Sequence, residues 1–173
     1  MAEHTERTTD FRKDDLAFTA MITKYQTDLY RTALAFLKNK NDAIEAIQEV
    51  TFRAYKKRKQ LRELSYAKTW LIRIMINYCQ DMIKKNKQLF PSLIDADAGH
   101  YDQVNYLYLE QAILTLAKKE QELIYLKYFH GYTFKELAEQ LNKPEGTIKT
   151  ILYRALAQLK QQLGDEEGGW EHA

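Results

Sequence analysis

The chain has 173 residues, 45% of them apolar and 12% aromatic, enough for one ordinary domain or two small ones, which excludes a wholly disordered protein. Two prolines and six glycines are few, while Leu, Lys, Gln, Glu and Ala recur, so the composition predicts an all-α fold. The net charge of +2 conceals an asymmetry: residues 1–90 hold 18 Lys+Arg against 11 Asp+Glu, and residues 91–173 hold 8 against 13. A basic first half suits contact with a polyanion. No apolar run approaches the roughly 18 residues of a membrane span. The opening MAEHTERTTDFRKDD is polar, with no secretory apolar stretch, so the expectation is a cytoplasmic protein with no direct membrane insertion. Cys79, the only cysteine, falls within a predicted helix, which excludes an internal disulfide and predicts a buried, inert thiol.

Residues 1–15 read as a flexible segment. Phe18, Ile22, Tyr25, Leu29, Ala33 and Phe36 then follow steps of three or four, the buried stripe of an amphipathic helix, which Lys38-Asn39-Lys40-Asn41 interrupts. Asp42 is placed to cap a second helix running to about Lys59, with Ala43, Ile47, Val50 and Ala54 inward. A third helix is predicted from about Tyr66 to Lys85, with Leu71, Ile74, Met75, Tyr78 and Met82 facing the core. From Asn86 to about Gln103 the period is lost among Pro91, Gly99, Ser92 and several Asp. This irregular linker, set at residues 89–104, divides the chain into modules 16–88 and 105–163. Helices follow around Tyr106 to Leu116, from Lys118 to Phe129, from Phe134 to Leu141, and on to about Leu163, before a frayed tail over 164–173.

Residues Thr133 to Lys160, TFKELAEQLNKPEGTIKTILYRALAQLK, suit a helix-turn-helix. Thr133 and Glu136 have capping-box spacing, Ala138 is small where two helices would cross, and Asn142 tolerates the left-handed conformation a tight turn needs. Pro144 brings a preset φ to the start of the next helix. There Ile148, Leu152, Ala155, Leu159 and Leu163 form the inner stripe, leaving Thr147, Lys149, Thr150, Tyr153 and Arg154 outward. The N-terminal half of such a helix enters the DNA major groove, where Lys and Arg reach phosphates or guanine edges and Thr reaches bases. An ordinary helical hairpin with a solvated basic face has the same pattern.

Three stretches carry a family resemblance. The run Ala112-Ile113-Leu114-Thr115-Leu116, Gln121 through Phe129, Gly131 through Ala138 and Glu145 through Thr150 resembles the module of extracytoplasmic-function sigma factors that binds the upstream (−35) promoter element. Asp42 through Phe52 is similar to that family's polymerase-binding helix, and Thr69 through Asn77 to its promoter-melting helix. Together the matches span roughly residues 16–163 in the family's order. The family often has Leu-Pro at Leu116-Ala117, an Arg at Ile151, and acidic residues at both Ile44 and Glu45. The apolar Ile151 removes a possible DNA contact.

The resemblance implies a non-enzymatic protein of two helical modules, sigma region 2 and sigma region 4. It would bind core RNA polymerase, recognise the −35 and −10 elements, help melt DNA, and direct initiation for a stress or envelope-type regulon. Implied partners are the clamp helices of the largest polymerase subunit, the flap of the second-largest, promoter DNA in double- and single-stranded form, and a cognate anti-sigma factor. Candidate upstream-element contacts are Pro144, Glu145, Thr147, Lys149, Thr150, Tyr153 and Arg154. Candidate downstream-element contacts are Lys56, Lys59, Arg62, Ser65, Tyr66, Trp70, Arg73, Asn77, Lys84 and Lys85, a mix of cations, aromatics and amides of the kind that holds single strands. Asp42, Glu45, Gln48, Glu49 and Phe52 are the polymerase-binding candidates, with Phe52 open to a core reading and Trp70 to the same. No phosphate-binding glycine loop, nucleophile elbow or HExxH occurs, and His4, His100, His130 and His172 lack ligand spacing, so neither catalytic residues nor metal nor cofactor are expected. A stand-alone helix-turn-helix regulator and a polymerase-binding antagonist are the alternatives that the same residues allow.

Overall fold

The computed structural model describes the backbone of residues 11–89 and 101–164 and the side chains of 11–86 and 108–164. Expectations for residues 1–10, 90–100 and 165–173, including most of the linker and the histidines His4, His100 and His172, lie outside the described residues. All regular elements among those described are helical: α1 (Asp15–Leu37), α2 (Lys40–Lys57), α3 (Ala67–Leu89), α4 (Tyr101–Thr115), α5 (Lys118–Ile124), α6 (Phe134–Leu141) and α7 (Glu145–Gly164). The chain forms two compact units, the first ending at Lys85 and the second beginning at Asn86.

In the first unit α1 is held at both ends. Asp14 caps its start, accepting from the N–H of Leu16 and Ala17, and Lys38 ends it at φ 56°, its N–H bonding to the Leu34 carbonyl. The buried stripe includes the expected Phe18, Leu29, Ala33 and Phe36, but Met21 and Thr32 are fully enclosed as well, while Ile22 and Tyr25 are half-buried. Thr32 is accommodated because its hydroxyl donates to the Asp28 carbonyl at 2.8 Å.

The start of α2 corrects the sequence expectation. Asn39, three residues before Asp42, is the cap, accepting from Asn41 N–H and Asp42 N–H. Asp42 lies instead in the first turn, where its charge complements the helix dipole. Ala43, Ala46, Val50 and Ala54 are fully buried, with Ala46 taking the place predicted for Ile47, which is half-buried. The helix ends at Lys57, and a 3₁₀ turn over Arg58–Gln60 carries the chain onward.

Along α3 the buried residues are Ala67, Thr69, Leu71, Ile72, Met75, Ile76, Tyr78, Cys79 and Gln80, a wider face than the predicted stripe, with Ile74 and Met82 only half-buried. Cys79 is enclosed against Met75 Sδ at 3.7 Å, and burial pushes its thiol up to about 12, so it is an inert core thiol.

The first residues described also differ from expectation. Phe11 is buried and Arg12 bonds to the Leu61 carbonyl, so the chain packs onto the first unit from Phe11 on rather than from residue 16.

The second unit begins α4 at Tyr101, five residues before the predicted start and inside the predicted linker. Gln121 Nε2 closes the end of α4, donating to the carbonyls of Leu114 and Leu116. After α5 the helix widens to π geometry over Tyr125–Phe129, His130 N–H reaching back to the Tyr125 carbonyl, and Gly131 turns the chain at φ 73°. The core here gathers Leu116, Leu123, Leu126, Leu137, Ile148, Leu152, Ala155 and Leu159; Leu163 is half-buried.

Leu71 is wholly enclosed in the first unit. Leu71→Ala is expected to lower stability by about 2–5 kcal/mol, read as a shifted urea midpoint in tryptophan fluorescence.

Candidate promoter and polymerase interfaces

The helix-turn-helix is assembled by local chemistry. Thr133 Oγ1 accepts from Glu136 N–H, while the Glu136 carboxylate accepts from Thr133 N–H at 2.7 Å and from the Thr133 hydroxyl. Those bonds, backbone first, hold the Glu136 carboxyl below the usual carboxylate range. Asn142 ends α6 at φ 51°, ψ 52°, and Lys143 N–H closes the turn on the Ala138 carbonyl at 3.0 Å. The Pro144 carbonyl then accepts from Thr147 N–H and Ile148 N–H, so α7 leaves the turn in a fixed direction. The capping box and the left-handed Asn142 follow the sequence expectation, while Pro144 stands one residue before the first turn of α7.

The outward face of α7 is not uniformly available. Pro144, Glu145, Thr147, Thr150, Tyr153 and Arg154 are exposed. Lys149 is half-buried, paired with Glu145 one turn earlier at 2.5 Å, a bond that holds its ammonium above the ordinary lysine value. Its Nζ also lies 5.3 Å from the Phe134 ring, which Lys127 approaches to 4.9 Å and Tyr153 meets edge-on at 6.0 Å. The Thr150 hydroxyl donates to the Gly146 carbonyl.

Arg154 has a role that spacing did not reveal. Its Nε and Nη2 both reach Glu120 Oε1 at 2.9 Å, while the other carboxylate oxygen of Glu120 accepts from Ala117 N–H. The Glu120 side chain is 6% exposed, that of Arg154 67%. The pair therefore clamps α7 to the start of α5 with one charge sunk and the other at the surface. Nothing local marks Glu120, 34 residues away in sequence, as its partner.

In the first unit α2 turns Ile44, Glu45, Gln48 and Phe52 to solvent, with Asp42 and Glu49 half-buried beside them. Phe52 is 54% exposed, so the core reading is excluded. Lys56 Nζ sits 4.0 Å from the Phe52 ring centre, on the same face of α2. Glu49 holds Arg53 at 2.7 Å, and Arg53 covers the Tyr78 ring at 4.9 Å, joining α2 to α3. Burial, then Glu45 and Glu49, raise the Tyr78 hydroxyl above its ordinary value. A groove of about 410 Å³ between α1 and α2 is lined by Asp15, Phe18, Thr19, Gln48, Thr51, Phe52 and Tyr55.

Apart from Lys56 on α2, the downstream candidates lie in the α2–α3 connection and along α3. Arg62 and Ser65 are exposed and Tyr66 half-buried in the connection from α2 to α3; Ser65 donates to Glu63. Trp70, Arg73, Asn77 and Lys84 follow at helical steps along α3, the first two half-buried and the last two exposed. Trp70 is thus neither fully packed nor fully free. Asn77 turns its amide N–H to the Arg73 carbonyl at 2.8 Å. Lys59 and Lys85 are exposed at the two ends of this surface.

Family models match both units: Sigma-70 region 2 over residues 21–88 and Sigma-70, region 4 over residues 106–159. The chain belongs to the sigma-70 family. Similar sigma factors include the RNA polymerase sigma factor SigV of Bacillus subtilis, 28% identical over 84% of this chain and 90% of that one. The ECF RNA polymerase sigma factor SigW of the same organism is 29% identical over 88% and 91%. Among solved structures, the sigma factor RpoE of Bartonella quintana, in complex with the anti-sigma factor NepR, superposes with a TM-score of 0.55 at 22% identity, covering 87% of this chain and 98% of that one. CnrH, in complex with the cytosolic domain of CnrY, gives 0.58 at 17% over 91% and 94%. Among the described residues of this sigma factor no helix is long and apolar enough to cross a membrane.

The depressed Glu136 carboxyl contributes stability above the ordinary glutamate range, and that contribution is lost as pH falls through its lowered value. Thr133→Ala should therefore lower the melting temperature at pH 7 and do so less near pH 3 (about one unit below the ordinary value). Arg154→Ala strands the buried Glu120 and is expected to cost about 1–3 kcal/mol in denaturant titration.

Proposed function

We propose that this sigma factor reads the upstream promoter element with the N-terminal half of α7 and captures the melted downstream strand with the α2–α3 connection and the Trp70–Lys84 stripe of α3. The observation that carries the reading is the exposed α7 face set by Asn142 and Pro144, where Thr147, Thr150 and Tyr153 stand clear of the core. Thr147 and Thr150 suit base edges and thymine methyls. Lys149 exchanges its Glu145 partner for a base edge on binding. Arg154, held by Glu120, offers its remaining donors to the backbone and sets the pose of α7.

The α2 face of Glu45, Gln48 and Phe52 docks on the clamp helices of core polymerase, with Phe52 as its aromatic anchor. The second unit meets the flap of the second-largest subunit. Melting draws on binding energy: bases flipped from the stack are held by Arg62, Ser65, Tyr66, Trp70 and Asn77, which offsets lost stacking without nucleotide hydrolysis. The sigma factor has no catalytic activity of its own in this scheme and acts in the cytoplasm. A cognate anti-sigma factor is its regulator, by analogy with the NepR-bound relative.

Reconstitution with bacterial core polymerase on randomised promoters tests the reading. Transcripts with defined starts and two enriched elements are expected, and polymerase binding without defined starts would overturn it. Lys149→Ala and Thr150→Ala should change preference at particular base pairs by about 1–3 kcal/mol, whereas Arg154→Ala should weaken all promoters alike.

A further inference from the structure

The α2–α3 connection, which presents Arg62, Ser65 and Tyr66, lacks a continuous backbone frame. Between the 3₁₀ turns Arg58–Gln60 and Leu64–Tyr66 the chain runs extended, with ψ 113° at Leu61 and φ −136°, ψ 143° at Glu63. The carbonyls of Leu61 and Arg62 therefore fall outside any helix. Both are taken by one side chain that is remote in sequence: Arg12 donates from Nε at 3.0 Å and Nη2 at 2.8 Å to the Leu61 carbonyl, and from Nη2 to the Arg62 carbonyl.

The attachment is reciprocal. Arg58, at the start of the same connection, donates from Nε to the Arg12 carbonyl at 3.0 Å and from Nη1 to the Tyr55 carbonyl at 2.9 Å. Its guanidinium stacks 3.7 Å from the Tyr55 ring centre, and the Tyr55 hydroxyl donates to Asp15 at 2.9 Å. Phe11 and Leu61, 7% and 2% exposed, anchor the two segments in the core. One charge-assisted fork thus runs from the N-terminal segment to the connection, and a single guanidinium bond returns from Arg58 to the Arg12 carbonyl.

We propose that Arg12 is a positioning residue for the strand-capturing connection, so that the segment before α1 is a working part of promoter opening. The inference rests on the assignment of that connection to the melted strand. A loop that must hold unstacked bases loses affinity if it has to be ordered at the moment of capture, and a planar fork on two successive carbonyls removes that freedom in advance. Arg62 is fixed at its backbone while its side chain stays exposed for the strand.

The test uses the holoenzyme formed with core polymerase and a fluorescent single-stranded oligonucleotide carrying the downstream element selected from randomised promoters. Arg12→Ala is expected to weaken strand capture about tenfold and to slow permanganate-detected opening, with core polymerase affinity within about twofold of wild type. Arg12→Lys keeps the charge but not the fork and should fall between the two. A double-mutant cycle separates positioning from general destabilisation: in a Tyr66→Ala background Arg12→Ala should add little further loss, because both changes act on one loop. Full multiplicative loss, or wild-type strand capture by both Arg12 variants, would overturn the inference while leaving the function standing. A wild-type holoenzyme that captures no strand would overturn the assignment of the connection and this inference with it.

Discussion

The packing of α1 on α2 through small side chains sets the terms for the first unit. Ala33 on one helix and Ala43, Ala46 and Ala54 on the other are wholly enclosed, so the two backbones approach closely and neither can rotate without forcing a larger residue into the seam. That fixed rotation keeps Glu45, Gln48 and Phe52 at the surface and delivers the end of α2 to the place where Arg12 meets the following connection. Surface chemistry here is a consequence of how little room the seam leaves. An Ala46→Leu change would reach the exposed face of Glu45, Gln48 and Phe52 through a shifted helix axis.

The arginines show how a formal charge count overstates a nucleic-acid surface. Arg12, Arg58, Arg53 and Arg154 are each committed to partners within the protein: loop carbonyls, a tyrosine ring, a helix-neighbour carboxylate and a buried carboxylate respectively. Guanidinium suits these tasks because its planar fork satisfies two acceptors at once and stacks on aromatic faces. Lys59, Lys84 and Lys85 stand exposed instead, and on the proposed reading it is they that supply the diffuse attraction to phosphate.

Elements governed by near neighbours along the chain are legible in the amino-acid sequence. Thr133 with Glu136, the left-handed Asn142 and the step into Pro144 announce the helix-turn-helix because each is decided within a few residues. The helix periods mark α1, α2, α3 and α7 with their principal buried residues. What escapes such reading depends on distance along the chain or on competition between equals. Asn39 and Asp42 are both good caps, and only the path out of Lys38 decides for Asn39. Ile47 and Ala46 both fit the inner face of α2, and the tight seam selects the smaller. Glu120 with Arg154, and Arg12 with Leu61, join residues 34 and 49 apart, which no local pattern encodes.

The mixed character of the α7 face bears on how promoter preference could diverge. Thr147 and Thr150 stand at the surface, and neither joins α7 to another helix. Arg154, a short way along the same face, is bound into the scaffold by a buried carboxylate. Positions open to substitution thus alternate with one that the architecture holds, so on the proposed reading specificity drifts by small steps near the helix start while the angle at which the helix meets DNA is inherited unchanged.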